Sequence, residues 1–390
     1  MSFWRALGIF SGLSVIMPLI TDIGLPAIPD IAQYYNVGTD RIQQTISFLF
    51  FGAAIGQIIY GPLTDRFGRK PVIVITMLIF TIISFITIYT GTPTSHSIAR
   101  FLQGATGAGG MIVVRAIIRD LYDGAFAIKM FAYTMVGSSL MPILAPILGG
   151  HVTELFGWKP NFLIITGFGL ILSVWLLLGL KETGTKDFNA LKIGDLFKSF
   201  ITLSKSSKFI YYTIITLGPF SGLLCILVGL SPVLIDFMGI SAPLFGYYFA
   251  IIMVGNLFAS ILSGKLANFL SSFKLICLGS IICCMSGILA YILLLSDIIE
   301  PLSVVLPAAA FMIGFPLVVS AATAEAMSPY PEMAGKASSL IGLIQLGGGA
   351  VTSLILSWAS DGTHFPLVIA LMFSGIFSIL PLRMIYTLSR

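Results

Sequence analysis

Apolar runs of about twenty residues recur from one end of this 390-residue chain to the other, and nothing else in the sequence limits its fold as tightly. A helix needs roughly 20 apolar residues to cross the hydrocarbon core of a bilayer. Twelve such runs are legible, at about 6–27, 42–62, 72–90, 97–118, 130–152, 161–180, 209–235, 243–263, 275–295, 302–323, 336–358 and 366–386. Lipid offers no partner for a free backbone N–H or C=O, so each spanning segment must satisfy its own, as a helix does; an open sheet would leave its edges unpaired. The expectation is an all-α integral membrane protein with twelve transmembrane helices, numbered here as spans 1 to 12. Composition agrees: the chain is 57% hydrophobic and only 9% charged, against about 25% charged in soluble domains. The first run is too long for a removable signal, continues into "TDIGLPAIP" and is followed by no small-residue cleavage site. The four cysteines, Cys225, Cys277, Cys283 and Cys284, all fall inside runs and are read as small buried apolar residues.

Lysine and arginine accumulate on the cytoplasmic side of membrane proteins. With the N-terminus inside, every Lys and Arg except Arg41, Arg100 and Lys159 falls on that side. Both termini are therefore expected in the cytoplasm, and the net charge of +5 reads as an orientation signal rather than a nucleic-acid surface. One polar segment, "KETGTKDFNALKIGDLFKSFITLSKSSK" at 181–208, breaks the rhythm after the sixth run. It divides the chain into bundles at 1–180 and 209–390, as expected of two pseudo-symmetric six-helix halves. Its part "DFNALKIGDLFKSF" suits either a solvated linker or an amphipathic helix on the membrane surface. The loop "GPLTDRFGRK" has a faint counterpart in "SGKLANFLSSFK", which keeps a glycine and basic residues but lacks the acid.

In "GPLTDRFGRKP", residues 61–71, one acid and three bases stand in a chain otherwise poor in charge. Gly61 and Gly68 permit tight turning and close approach, and Asp65 lies within reach of Arg69 and of Asp120 at the end of span 4, with Arg66 and Lys70 alongside. The stretch resembles the signature loop of the major facilitator superfamily. Together with "TDIGLPAIPDIA", "QQTISFLFFGAAIGQIIY", "ARFLQGATGAGG", "VVRAIIRDLY" and "MPILAPILGG", it resembles the Bcr/CflA group of drug:proton antiporters, over roughly residues 15–160. The resemblance implies the major facilitator fold, the bacterial inner membrane and substrates like bicyclomycin or chloramphenicol. It also implies that Asp65, Arg69 and Asp120 cluster against the N-terminus of span 11 near Gly335, where a helix dipole favours a carboxylate by roughly 0.3–1 kcal/mol. Such a cluster would latch the two halves on the cytoplasmic side.

Asp22 lies deep in span 1. An ionised carboxylate in the membrane interior costs on the order of 2.5–3.5 kcal/mol on insertion scales, so the protonated form is favoured until water or a cationic substrate stabilises the charge. That is the requirement for exchanging a proton against a drug, and the resemblance places a proton- and substrate-responsive acid at the same position. Arg100 opens span 4, and Gln103, Gly107 and Met111 continue its helical face; a polar-then-small stripe fits a helix lining an aqueous cavity. The resemblance implies a buried arginine that takes part in proton transfer. Arg115 and Arg119, one turn apart near the inner end, read as anchors or latch partners rather than ligands. In span 5, Pro142, Pro146, Gly149 and Gly150 resemble the antiporter motif, with Ala145 and Met141 where its consensus has glycine. Proline bends a span and paired small residues let helices approach closely. Glu325 reads as a cytoplasmic cap. His96, His151 and His364 are too scattered for a metal site. Tyr211, Tyr212, Phe220 and Met111 are candidates for the apolar wall of a permissive pocket.

These readings converge on a proton-coupled exporter of small amphipathic compounds working by alternating access. No cofactor or metal is expected, the proton motive force is the energy source, and a monomer is the default. A siderophore or endogenous metabolite is the alternative cargo. A facilitator importing a small metabolite would use the same scaffold. An intramembrane enzyme would need a metal cluster or a nucleophile–base pair, nucleotide-driven transport a phosphate-binding loop, and a channel a filter or charged rings; none is legible.

Overall fold

The computed structural model describes residues 3–122, 124–184 and 193–388. Twelve helices are long and apolar enough to cross a membrane: Phe3–Tyr35, Thr39–Phe67, Arg69–Thr87, Pro93–Leu121, Lys129–Phe156, Lys159–Gly179, Ser207–Phe237, Ala242–Leu266, Ser272–Leu295, Pro301–Met327, Pro331–Trp358 and Phe365–Tyr386. Each coincides with one of the apolar runs. Span 1 runs past its expected end because a tight turn at Leu25–Ala27 passes directly into a further helix, Ile28–Tyr35. Span ends carry their own signals. Thr92 caps span 4 in a reciprocal pair with Ser95, and Pro93 follows at the first helical position, where a missing N–H removes nothing.

The same pairing appears twice. Span 1 packs on span 5, span 2 on span 4, and span 3 on spans 4 and 6; span 7 packs on span 11, span 8 on span 10, and span 9 on spans 10 and 12. The chain is therefore two pseudo-symmetric six-helix bundles. Small residues set the tightest seams. A Cβ on Gly52 would stand 1.9 Å from the Phe101 carbonyl oxygen, and one on Gly104 1.9 Å from that of Leu49. Spans 2 and 4 thus touch backbone to backbone, the close approach that lets dispersion hold helices together in lipid.

The halves meet along two further seams, span 2 with span 11 and span 5 with span 8. Ser47 and Ser353 share a hydrogen bond of 2.8 Å, and a Cβ on Gly246 would stand 2.6 Å from the Pro146 carbonyl oxygen. These approaches lie toward the face that carries Arg41 and Lys159. Toward the opposite, lysine- and arginine-rich face (the basic face below) the seams part. Gly61, Gly264 and Gly335, near the basic ends of spans 2, 8 and 11, look onto open space, with nothing within 4 Å of an added Cβ. Span 5 agrees: Ala145, Pro146, Gly149 and Gly150 are buried, whereas between Phe131 and Leu144 only Thr134 is. The molecule is closed at one face and open at the basic one.

After span 6, a helix at Ile193–Ser204 leans on span 11, and Lys336 donates to the Ser199 hydroxyl at 3.0 Å. This is the later part of the amphipathic stretch read from the sequence; residues 187–192 of it lie outside the described residues.

Candidate functional site

Asp22 ends the first helical stretch of span 1 and is 4% exposed. Among the described residues it has no hydrogen-bond or ion-pair partner. Its near neighbour in the chain, Ile20, offers its carbonyl oxygen to Arg100 Nη2 at 2.9 Å. Arg100 Nη1 donates to Gln103 Oε1 at 2.6 Å, Gln103 Nε2 donates to Ser84 Oγ at 2.9 Å, and the guanidinium lies 5.6 Å from the Phe162 ring centroid. Arg100 is 4% exposed, so its positive charge is held by neutral oxygens and a π face rather than by a carboxylate. Burying a cation and an acid near each other, each without an ionic partner, is expensive and marks a working site more than a structural one.

The span 4 stripe differs from expectation. Arg100, Gln103 and Gly107 turn into the first bundle and not onto an aqueous cavity: they contact spans 1, 3 and 6, and a Cβ on Gly107 would stand 2.9 Å from Ile20 Cδ1. The small residue serves packing, because a side chain there would push span 1 away. Only the lower end of the stripe leaves the packed interior, where Met111 is half-buried and its Sδ is 3.5 Å from Arg115 Nη2. Arg100 is likewise an internal residue and no part of the charge at the outer surface.

Span 5 is held on both sides of its glycine pair. A Cβ on Gly149 would stand 2.0 Å from the Ile23 carbonyl oxygen of span 1, just past Asp22, and one on Gly150 2.4 Å from the Ala242 carbonyl oxygen of span 8. Pro146 meets Gly246 of span 8 on the same side as Gly150. The helix runs unbroken over Gly124–Phe156 with Pro142 and Pro146 inside it. The motif is thus a wedge joining the acid-bearing helix of one half to the other half.

On the basic face Arg69 pairs with Asp65 and, through Nε at 3.1 Å, with Asp120. Its Nη1 also donates to the Thr64 hydroxyl at 2.7 Å. The expected triad therefore forms, but inside the first bundle. It is not docked on span 11, since Gly335 faces open space. Gly61 also departs from expectation. It sits within the span 2 helix with nothing near it, because that helix continues to Phe67 and the whole turn falls on Gly68. Gly68 has φ +100, a conformation that L side chains avoid. A Cβ there would also stand 2.4 Å from Glu182 Oε2.

Glu182 escaped sequence reasoning. Its carboxylate accepts from the backbone N–H of Arg69 at 2.8 Å and of Lys70 at 3.3 Å, and from those of Thr183 and Gly184. A residue from the segment after span 6 thereby caps the N-terminus of span 3, where free N–H groups and the helix dipole favour an anion. Lys70 Nζ donates to the Leu177 carbonyl at 3.0 Å, and Arg66 lies 5.5 Å from the Phe67 ring centroid. The only hint in the sequence was an acid directly after span 6, amid lysines.

Other candidates disperse. Tyr212 is buried in an apolar cluster at the basic end of the second bundle, with Lys208 5.9 Å from its ring; it is no cavity wall. Tyr211 packs at the edge of the same cluster, and Phe220 stacks edge-on with Phe315 at 5.1 Å. Glu325 forms an ion pair with Lys208 at 3.3 Å rather than a cap. His96, in the first turn of span 4, is fully enclosed, with Nδ1 3.2 Å from the Thr90 hydroxyl and rings of Trp158 and Phe162 around it. His151 meets Tyr247 and His364 stacks on Phe237.

A family model described as Major Facilitator Superfamily matches residues 10–353. The chain belongs to the Major Facilitator Superfamily. Membership places it among membrane transporters rather than enzymes. Among its superfamily relatives, the bicyclomycin resistance protein homolog of Haemophilus influenzae is 28% identical over 371 residues, covering 94% of this chain and 92% of that protein. Multidrug resistance protein D of Escherichia coli (strain K12) is 28% identical over 339 residues, covering 85% and 83%. Two solved superfamily structures share the fold. The peptide transporter POT in complex with sulfate superposes with a TM-score of 0.80 at 13% identity, covering 100% of this chain and 96% of that one. The xylose transporter XylE from E. coli, in a partially occluded inward open conformation, gives 0.76 at 12% identity, covering 99% and 98%.

Proposed function

We propose that this superfamily member exports small amphipathic compounds, antibiotics among them, across a bacterial cytoplasmic membrane in exchange for protons, with the basic face and both termini in the cytoplasm. The names of its relatives support the drug class, and the bias of Lys and Arg supports the orientation. The observation that carries the reading is Asp22: a carboxyl group in the bilayer region with no polar partner among the described residues, two residues along span 1 from the carbonyl that accepts from the buried Arg100, itself without an ionic partner, and just before the point where span 5 grips span 1.

The proton logic follows from cost. Asp22 is neutral in its dry site and loses its proton when water or a cationic cargo reaches it, so cargo and proton compete for one place. Arg100 supplies a fixed positive field from the side of Ile20. One charge descending 100 mV yields about 2.3 kcal/mol, enough for somewhat under two decades of cargo gradient.

Alternating access has a geometric basis in the span 2–span 11 seam. Ser47 faces Ser353, Ala54 faces Gly347 and Gln57 faces Gly342. The antiparallel register continues toward Gly61 and Asp65 on one helix and Gly335 on the other, which are apart here. Rocking the halves would bring those bare glycines together and seat the Asp65–Arg69–Asp120 cluster on the start of span 11, opening the other face. No cofactor is required, and one chain holds the whole path.

Everted vesicles test this. Adding a transported compound should collapse an imposed proton gradient with the wild type, and Asp22→Asn should abolish the response at an equal protein level. Wild-type proton exchange by Asp22→Asn would overturn the coupling role. Cargo movement without proton movement would make the carrier a facilitator.

A further inference from the structure

Span 12 packs on spans 7 and 9 but makes little contact with span 11. The gap is a groove of about 600 Å³, floored by Ser221 and Cys225 of span 7 and walled by Thr352 and Ile355 of span 11 and by Phe373 and Phe377 of span 12. Its volume is that of small-molecule sites, roughly 300–1,000 Å³. It follows span 12 from Phe365 inward over at least Phe377, which at 1.5 Å per residue is about 18 Å, the reach of a long alkyl chain.

The mouth lies at the face opposite the basic one. There Asp361 lines the groove beside Phe365, a residue 49% exposed. One carboxylate oxygen, Oδ1, accepts from the Thr363 backbone N–H at 2.9 Å and its hydroxyl at 2.7 Å. This fixes the group and leaves Oδ2 for a ligand. Among the described residues no Lys or Arg lines the groove. An anionic head would therefore meet only an acid, whereas a quaternary ammonium would find a carboxylate and an aromatic face, the pairing that recognises such cations.

We propose that this groove is a binding site for long-chain cationic amphiphiles taken laterally from the bilayer, separate from the central path between the halves. The alkyl chain lies between spans 11 and 12 and the ammonium sits at Asp361. The place matters because span 11 presents its other face to span 2, through Ser353 and Ser47 and through Gly342 and Gln57. An occupant of the groove therefore sits directly behind a seam between the halves.

The test uses the full chain in phosphatidylcholine nanodiscs and two photoreactive probes with the same diazirine-tipped dodecyl chain, one a trimethylammonium and one a sulfate. Labelled peptides are mapped by mass spectrometry. The expected result is capture of the ammonium probe in spans 7, 11 and 12, displaced by unlabelled dodecyltrimethylammonium. Asp361→Asn should weaken capture about two- to five-fold, the size of one exposed charge pair. Asp361→Lys, in an exposed loop where folding is not at risk, should turn the preference toward the sulfate. Labelling spread evenly over the lipid-facing helices, equal capture of both probes by the wild type, or indifference to both Asp361 variants would overturn the site. The readout involves no transport, so its failure would leave the export reading standing.

Discussion

Gly149→Ala and Gly61→Ala are the same chemical change in two glycines of motifs legible in the sequence, and the structure assigns them opposite outcomes. A Cβ at position 149 would stand 2.0 Å from the Ile23 carbonyl oxygen, whereas ordinary contact begins near 3.4 Å. Spans 1 and 5 would have to separate by the difference. Span 5 cannot retreat freely, because a Cβ on Gly150 is already 2.4 Å from the Ala242 oxygen of span 8 on its other side. Forcing a group into such a seam costs typically about 1–3 kcal/mol, only partly offset by the helix preference of alanine, about 0.5–1 kcal/mol. At Gly61 nothing lies within 4 Å, so only the favourable helix term, about 0.5–1 kcal/mol, remains. Thermal unfolding of the two variants in identical micelles, followed by intrinsic tryptophan fluorescence, should place Gly149→Ala several degrees below the wild type, at roughly 2–4 °C per kcal/mol for bundles of this size. Gly61→Ala should match or exceed the wild type. If Gly149→Ala melts at or above Gly61→Ala, the wedge role of span 5 is wrong.

Glu182→Ala removes the cap from span 3 and should cost about 0.5–2 kcal/mol; trypsin should then cut after Lys181 faster than in the wild type, and an unchanged rate would contradict the anchoring. Gln103→Leu leaves an Arg100 donor and the Ser84 hydroxyl unpaired in a buried site, a loss of about 1–3 kcal/mol. It should lower the melting temperature and weaken proton exchange together, and a variant that is destabilised but fully coupled would confine Gln103 to packing.

The twelve spans were legible because hydrocarbon leaves the backbone a single solution, and the length of each apolar run then sets its helix. The Asp65–Arg69–Asp120 cluster was legible through the resemblance of its loop to the family signature, with all three residues standing at span ends. What escaped depended on orientation and on distance along the chain. The stripe from Arg100 to Gly107 has a helical period, but period alone does not say which neighbour it faces. Gly61 and Gly68 are the same letter in one loop, yet only one of them is a turn, because span 2 extends to Phe67. Glu182 reaches Arg69 across more than a hundred residues, and no local pattern announces such a pairing. Tyr212 looked like a cavity residue until packing enclosed it.

The connector between the bundles is pinned near both ends: Glu182 on the start of span 3, and the helix Ile193–Ser204 on span 11 through Ser199 and Lys336. Between Gly184 and Ile193 the polypeptide can extend at most roughly 30 Å. The separation of the two anchors, and with it that of the start of span 3 from the start of span 11, is therefore bounded by chain length as well as by helix packing. A deletion within that stretch would tighten that bound, and an insertion would relax it.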